Sequence, residues 1–423
     1  MNIRSITGMK DIMPDQSHYW RFVEQHMRDI LTAYGYREIR MPLLEKTELF
    51  SRSIGDVTDI VEKEMYTFDD RDGDSVTLRP EGTASCVRAV MEHHLLRQGI
   101  QRLWYEGPMF RHERPQKGRY RQFHQIGVEV FGSESAVTDV ELILLCVRLW
   151  RRLGLSLKLE INSIGSQASR LAYREQLVAY FSSHRHVLDD DSQHRLQRNP
   201  MRILDSKNPD LDGIIRDAPK ITDALDDESR IHFERLQSLL QEAGIEYQIN
   251  SRLVRGLDYY NRTVFEWTTD QLGSQNAVCA GGRYDGLIEM LGGPASPAMG
   301  FALGLDRILL LLEKSPDIGQ QAEVYMIMVG AKAEQAGLAM AESIHDSLPH
   351  VRLVYNLGGG SFKAQMRRAD RSGASLALLL GENELAGQNV GVKFLRSEQA
   401  QTAVAIEALI PYIASYLKTS TGE

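Results

Sequence analysis

Cysteine is scarce and scattered. The chain of 423 residues has three, Cys86, Cys146 and Cys279, with no C-x-x-C pair, which argues against a thiolate zinc site or a disulfide framework. No apolar run approaches the ~20 residues that a membrane span needs. The opening MNIRSITGMKDIMPDQ lacks a basic-then-apolar signal pattern. The expectation is a soluble protein of a reducing, cytoplasmic compartment. The glycine-rich nucleotide loops are also missing. There is no G-x-x-x-x-G-K-[ST], and no G-x-G-x-x-G follows the first strand. A bound nucleotide must therefore be held by arginines on another scaffold. Positive charge is the minority, at 49 Lys+Arg against 57 Asp+Glu, a net charge of −8. Nucleic acid must then be met by local basic patches rather than by a general field.

What is there is ordinary globular material, 43% hydrophobic and 25% charged, enough for two or three domains. Helical spacing of Tyr19, Phe22, Val23, Met27, Ile30, Leu31 and Tyr34 stops at Gly35. A strand is predicted over 36–44, a hairpin over 64–79 about the turn DDRDGD, and a helix near 83–97. That turn resembles the start of a calcium loop, but Phe68 occupies the first ligand position. Strands at 102–113 and 121–131 flank the loop RPQKGRY, and 135–153 reads as a helix. The stretch 165–245 turns polar and helical, and reads as an inserted domain. Its His184, His186 and His194 read as solvated surface rather than metal ligands. After a Pro- and Gly-containing linker near 315–322, strands at 324–330, 351–355, 376–380 and 390–395 alternate with helices at 332–347, 362–372 and 402–417. This predicts a compact α/β domain with a mostly parallel sheet.

Period two is informative in 121–131. Ile126, Val128 and Val130 share an apolar face, while Arg121, Phe123, Gln125, Gly127 and Glu129 share the other. That second face reads either as the floor of a polar pocket or as a half-exposed strand. The segment 97–124 carries seven Lys or Arg against Glu106 and Glu113, a patch suited to phosphates or an RNA end.

Several strings, in order, carry a resemblance. They are YGYREIRMPLLE at 34–45 with Pro42, TLRPEGTA at 77–84, FRHE at 110–113 with RQFHQ at 121–125, and GFALGLDRIL at 300–309. Three of these resemble motifs 1, 2 and 3 of the class II aminoacyl-tRNA synthetases. LVRGLDYYNRTVFEW at 253–267 and AGGRYDGL at 280–287 resemble the two signatures of the histidyl-tRNA synthetase family within class IIa. Two positions depart from the pattern. Thr7 precedes Gly8 where the family often has Arg, and Glu106 stands where an apolar residue is common.

The resemblance implies an α+β catalytic domain at 1–320, with an antiparallel sheet flanked by helices and interrupted by the helical insertion at 165–245. An α/β anticodon-binding domain at 323–423 would follow. It implies a histidine–tRNA ligase that forms histidyl-adenylate and pyrophosphate from L-histidine and ATP, then transfers histidine to the 3′ end of histidine tRNA. Arg111 and Arg255 would stabilise the α-phosphate. Arg111, Arg119, Phe123 and Arg307 would bind ATP, with Mg²⁺ on its phosphates. Glu81, Thr83, Gln125, Glu129, Arg255, Tyr259 and Tyr260 would bind histidine, with Gly281 and Gly282 letting the backbone approach it closely. Arg114, Gln116 and Arg121 would meet the tRNA acceptor end, the insertion would grip the acceptor arm, and the basic stretch 361–373 would face the anticodon. Motif 1 implies a homodimer, and no membrane partner is expected. The regulatory subunit of ATP phosphoribosyltransferase shares this catalytic fold without the anticodon domain. It is the main rival, together with an RNA-binding protein carrying a dead site and a class IIa enzyme of another amino-acid specificity, which the RGLDYY and AGGRYDGL strings oppose.

Overall fold

A computed structural model describes residues 3–54, 58, 60–204, 206, 208–254, 257, 259–273, 276–312 and 322–421. The chain divides into two compact units, Met1–Ile318 and Gly319–Glu423.

The first unit is built on an eight-stranded sheet. Its order is Arg37–Glu38, Gln101–Phe110, Gln122–Phe131, Ala298–Gly304, Ala277–Arg283, Asn261–Thr268, Lys158–Ser163 and Gln248–Ile249. The six inner strands are antiparallel to their neighbours, and only the two-residue edge strands pair in parallel. The strand predicted over 36–44 is broken. Only Arg37–Glu38 and Leu44–Lys46 are strands, and they join different sheets. Pro42 lies in the gap, where its missing N–H cannot donate to a ladder. The predicted hairpin forms as Tyr66–Asp69 against Ser75–Leu78. The Asp70 carboxylate closes its turn by accepting the Asp72 and Asp74 N–H groups, both at 2.9 Å.

The period-two reading locates the two faces of the sheet. Ile126, Val128 and Val130 point into a core shared with helices Ser17–Ala33, Ala136–Leu153, Asp227–Glu242 and Leu305–Leu312. Phe123, Leu103 and Tyr105 point the other way, towards helix Thr83–Glu92 and Tyr259, Tyr260 and Tyr284. Within 165–245, helices Gln167–Ser183 and Asp190–Arg198 bury Tyr173, Leu177, Phe181 and Leu196. Helix Asp227–Glu242 instead contributes Phe233, Leu236 and Leu240 to the core behind the sheet. Glu106, one of the two departures, is ion-paired with Arg28 at 2.8 Å. At the other departure, the Gly8 carbonyl accepts the Arg121 N–H at 2.8 Å.

In the second unit the sheet order is Leu353–Tyr355, Val324–Met328, Leu376–Leu380, Asn389–Phe394 and Thr402–Ala405. The first three strands are parallel and the last two antiparallel, so the sheet is mixed. The helix expected from 402 begins only at Leu409. Thr402–Ala405 is the edge strand, and a 3₁₀ turn at Ile406–Ala408 separates the two. The hydrophobic spacing of 402–417 suits a helix, but pairing with Asn389–Phe394 captures its first four residues.

Candidate active site

A cavity of about 280 Å³ opens on the sheet face away from the helical core. Most of the expected site residues line it: Glu81, Thr83, Arg111, Arg119, Phe123, Gln125, Tyr259, Tyr260 and Arg307. Arg255 lies outside the described residues.

One end is cationic. Arg111 Nε donates to the Pro80 carbonyl at 2.9 Å, and its guanidinium lies 5.3 Å from the centre of the Phe123 ring. Arg119 is ion-paired with Glu113. Arg307 donates to the Gly118 and Ala277 carbonyls at 3.0 and 2.5 Å, which spans the tip of the loop and a central strand. Burial lowers the pKa of Arg307; Glu113 opposes this, while the nearby Arg111 and Arg119 charges lower it further. Glu113 offsets part of the repulsion among the three guanidinium groups, and a phosphate would offset more.

The other end is a nest of hydroxyls and carboxyls. Glu81 accepts from the Thr83 and Ala84 N–H groups at 2.6 and 2.8 Å, anchoring the first turn of helix Thr83–Glu92. Glu129 does not line the cavity. It is 1% exposed and accepts from the hydroxyls of Thr83 at 2.8 Å, Tyr105 at 2.9 Å and Tyr284 at 2.5 Å. Burial pushes its carboxyl up to about 8, although the three hydroxyls favour the charged form. Burial also raises Tyr105, Tyr259 and Tyr284 well above the usual phenol range, so they remain O–H donors. Gly300, the cross-strand partner of Glu129, is obligatory: a Cβ there would fall 1.7 Å from Glu129 Oε2.

Sequence reasoning missed Tyr105 and Tyr284, which deliver two of those three hydroxyls. Tyr284 stands inside the AGGRYDGL string, and Tyr105 on the pocket face of its strand opposite Gly127. The other polar members of AGGRYDGL serve the scaffold. Arg283 is fully buried and grips Asp139 through Nη2 and Nε at 2.7 and 3.2 Å. Asp285 exchanges two hydrogen bonds with Asn261, both at 2.9 Å. Neighbouring backbone already demands glycine at Gly281 and Gly282, since a Cβ would meet Gly300 O at 2.3 Å or Thr263 O at 2.5 Å.

The loop residues differ in availability. Arg114 and Gln116 are exposed, and the Gln116 and Arg119 backbones pair across the turn. Arg121 is bound inward, with Nε donating to the Glu113 carbonyl at 3.2 Å. In the second unit, Lys363, Arg367 and Arg371 are exposed. Arg368 folds back on Asn356 and on the Gly359 carbonyl.

An antiparallel sheet walled by helices, with arginines from motifs 2 and 3 converging on one cleft, defines a class II aminoacyl-tRNA synthetase. The chain matches the family model for histidyl-tRNA synthetase over residues 8–308, and that for the anticodon binding domain over 323–416. The crystal structure of apo S. aureus histidyl-tRNA synthetase is 36% identical, with 97% of this chain and 100% of that one covered and a TM-score of 0.81. A Nostoc histidyl-tRNA synthetase shares the fold at 17% identity and TM-score 0.73, covering 98% of this chain and 100% of that one. A Bacillus halodurans protein described as an ATP phosphoribosyltransferase regulatory subunit/histidyl-tRNA synthetase also shares it, at 23% identity and TM-score 0.65, covering 87% and 97%. The chain belongs to the histidyl-tRNA synthetase family, and its activity is that of a histidine–tRNA ligase.

Proposed function

We propose that the cationic end of the cavity binds ATP and the hydroxyl-rich end binds histidine. The convergence of Arg111, Arg119 and Arg307 beside Phe123 is the observation that carries this reading. Arg119 and Arg307 hold the β- and γ-phosphates, while Phe123 and Arg307 sandwich adenine. Arg111 and Arg255 neutralise the α-phosphate as the histidine carboxylate attacks it and pyrophosphate leaves. Glu113 and Glu266 bring oxygen donors to the same cavity, the ligand type that suits Mg²⁺. The ion would reduce the charge repulsion among the phosphates.

At the other end, Glu81, Thr83 and Gln125 accept from the substrate ammonium, and Tyr259 and Tyr260 wall the imidazole. Behind that wall Glu129 holds the Thr83, Tyr105 and Tyr284 hydroxyls, and so sets the polarity and shape of the imidazole site.

Arg114, Gln116 and Arg121 serve the acceptor end, the insertion the acceptor arm, and 323–423 the anticodon. The enzyme works as a cytoplasmic homodimer through motif 1. Leu43, Leu44 and Phe68 at that region are 41%, 43% and 48% exposed, consistent with a covered face. Steady-state pyrophosphate exchange tests the division of the cavity. Phe123→Ala should raise KM for ATP about tenfold and leave KM for histidine within about threefold, while Arg255→Ala should slow exchange ~10²-fold. A Phe123→Ala enzyme with unchanged KM for ATP contradicts the nucleotide assignment.

A further inference from the structure

We propose that Asp306 is a positioning residue for the nucleotide, fixing Phe123 relative to Arg307 by carrying the sheet one rung past the end of a strand. The inference rests on the assignment of adenine to the space between Phe123 and Arg307.

Strand Ala298–Gly304 pairs with Gln122–Phe131 as far as Gly304 opposite Gln125. The chain then turns into helix Leu305–Leu312, so the strand offers no further main-chain acceptor. The next N–H along the other strand belongs to His124, and the Asp306 carboxylate accepts it at 2.7 Å through Oδ2. The side chain thus stands in for the missing strand. The junction lies between the two groups at issue: His124 follows Phe123, and Asp306 precedes Arg307.

An acidic side chain beside a phosphate site needs a reason, because its charge opposes the ligand's. Asp306 lines the cavity and its side chain is 14% exposed. The His124 Nδ1 is 3.9 Å from Oδ2, too far for a hydrogen bond. Trp20 packs edge-on against the His124 ring, and Lys10 lies 4.1 Å over the Tyr120 ring. Lys10 and Arg307 favour the charged carboxylate, but burial outweighs them and raises it to about 6. The carboxylate is thus held by backbone amides, that of His124 at 2.7 Å and its own, and the first of these is the one that crosses to the neighbouring strand. Losing that bond lets the start of the motif 2 strand drift from the motif 3 helix. A shift of about 1 Å there is enough to cost substantial binding or rate.

The test is steady-state pyrophosphate exchange on the full chain with Asp306→Ala, Asp306→Asn and Phe123→Ala. Asp306→Ala should raise KM for ATP about tenfold and leave KM for histidine within about threefold. Asp306→Asn keeps an acceptor oxygen without the charge, and should recover most of that loss. An unchanged Asp306→Ala enzyme overturns the inference. So does an equal rise in both KM values, which marks general unfolding of the site. An Asp306→Asn enzyme as impaired as Asp306→Ala, with an altered Mg²⁺ requirement, also overturns it, since charge rather than acceptance would then be at work. If Phe123→Ala leaves KM for ATP unchanged, the nucleotide assignment fails. If Phe123→Ala is impaired while Asp306→Ala is normal, only the role of Asp306 fails.

Discussion

The Tyr284 hydroxyl donates to Glu129 Oε2 at 2.5 Å, joining residues 155 apart in the chain. With Thr83 and Tyr105 on the other oxygen, the carboxyl is a fully buried acceptor ringed by hydroxyls. Even when protonated, its two oxygens keep lone pairs for these hydroxyls, whereas an amide turns to one of them an N–H₂ group that accepts nothing.

Glu129→Gln should therefore raise KM for histidine by roughly ten- to a hundredfold and leave KM for ATP within about threefold. Discrimination against analogues lacking a ring nitrogen should relax at the same time. Exchange kinetics with histidine and such analogues check both effects. Unchanged histidine kinetics in a destabilised protein would make Glu129 purely structural.

The same group carries a pH signature. Its folded pKa is about 8 against an ordinary value of 4.5, so the folded state holds the extra proton between those values. The slope of unfolding free energy with pH is then negative across that window. Melting temperature should fall from pH 5 to pH 8 more steeply in the parent than in Glu129→Gln. Glu81 and Asp306, also raised by burial, act in both proteins, so the difference between the curves isolates Glu129. Parallel curves contradict the assignment.

Asp139 accepts from Arg283, from the Thr263 hydroxyl at 2.7 Å, and lies 2.7 Å from His232 Nε2. Asp139→Ala removes the closest carboxylate from a fully buried guanidinium, leaving it Asp285 at 3.3 Å and the Ser133 and Ser135 carbonyls, and should cost about 3 kcal/mol. Thermal melting should show a marked loss, or the protein should fail to accumulate. A melting temperature within about two degrees of the parent would mean that Asp285 and the two carbonyls suffice for Arg283.

The cavity residues all lie in the first unit. A chain ending at Glu323 should keep histidine-dependent exchange and charge tRNA poorly. Both assays on one folded preparation decide this. Equal retention removes the anticodon role from 323–423, and loss of both in a folded dimer makes that segment part of the active site.

Much of this was legible in the sequence, for identifiable reasons. Period two in 121–131 separated Phe123 and Gln125 from Ile126 and Val128, because strand geometry alone fixes that alternation. Motif order brought Arg111, Arg119 and Arg307 to one cleft. What stayed hidden depends on partners distant in sequence. Nothing local to Tyr105 or Tyr284 announces a shared carboxylate, and nothing local to Arg121 or Arg368 says they turn inward onto backbone carbonyls. The edge strand Thr402–Ala405 likewise exists because a neighbour accepts it.

Amino-acid-dependent ATP–pyrophosphate exchange, run on the intact protein with each of the twenty amino acids, tests the central claim most directly. The account predicts exchange with histidine alone, because the proposed pocket beside Tyr259 and Tyr260, shaped from behind by Glu129, is built for an imidazole. Exchange driven by another amino acid, or none with histidine, would contradict it.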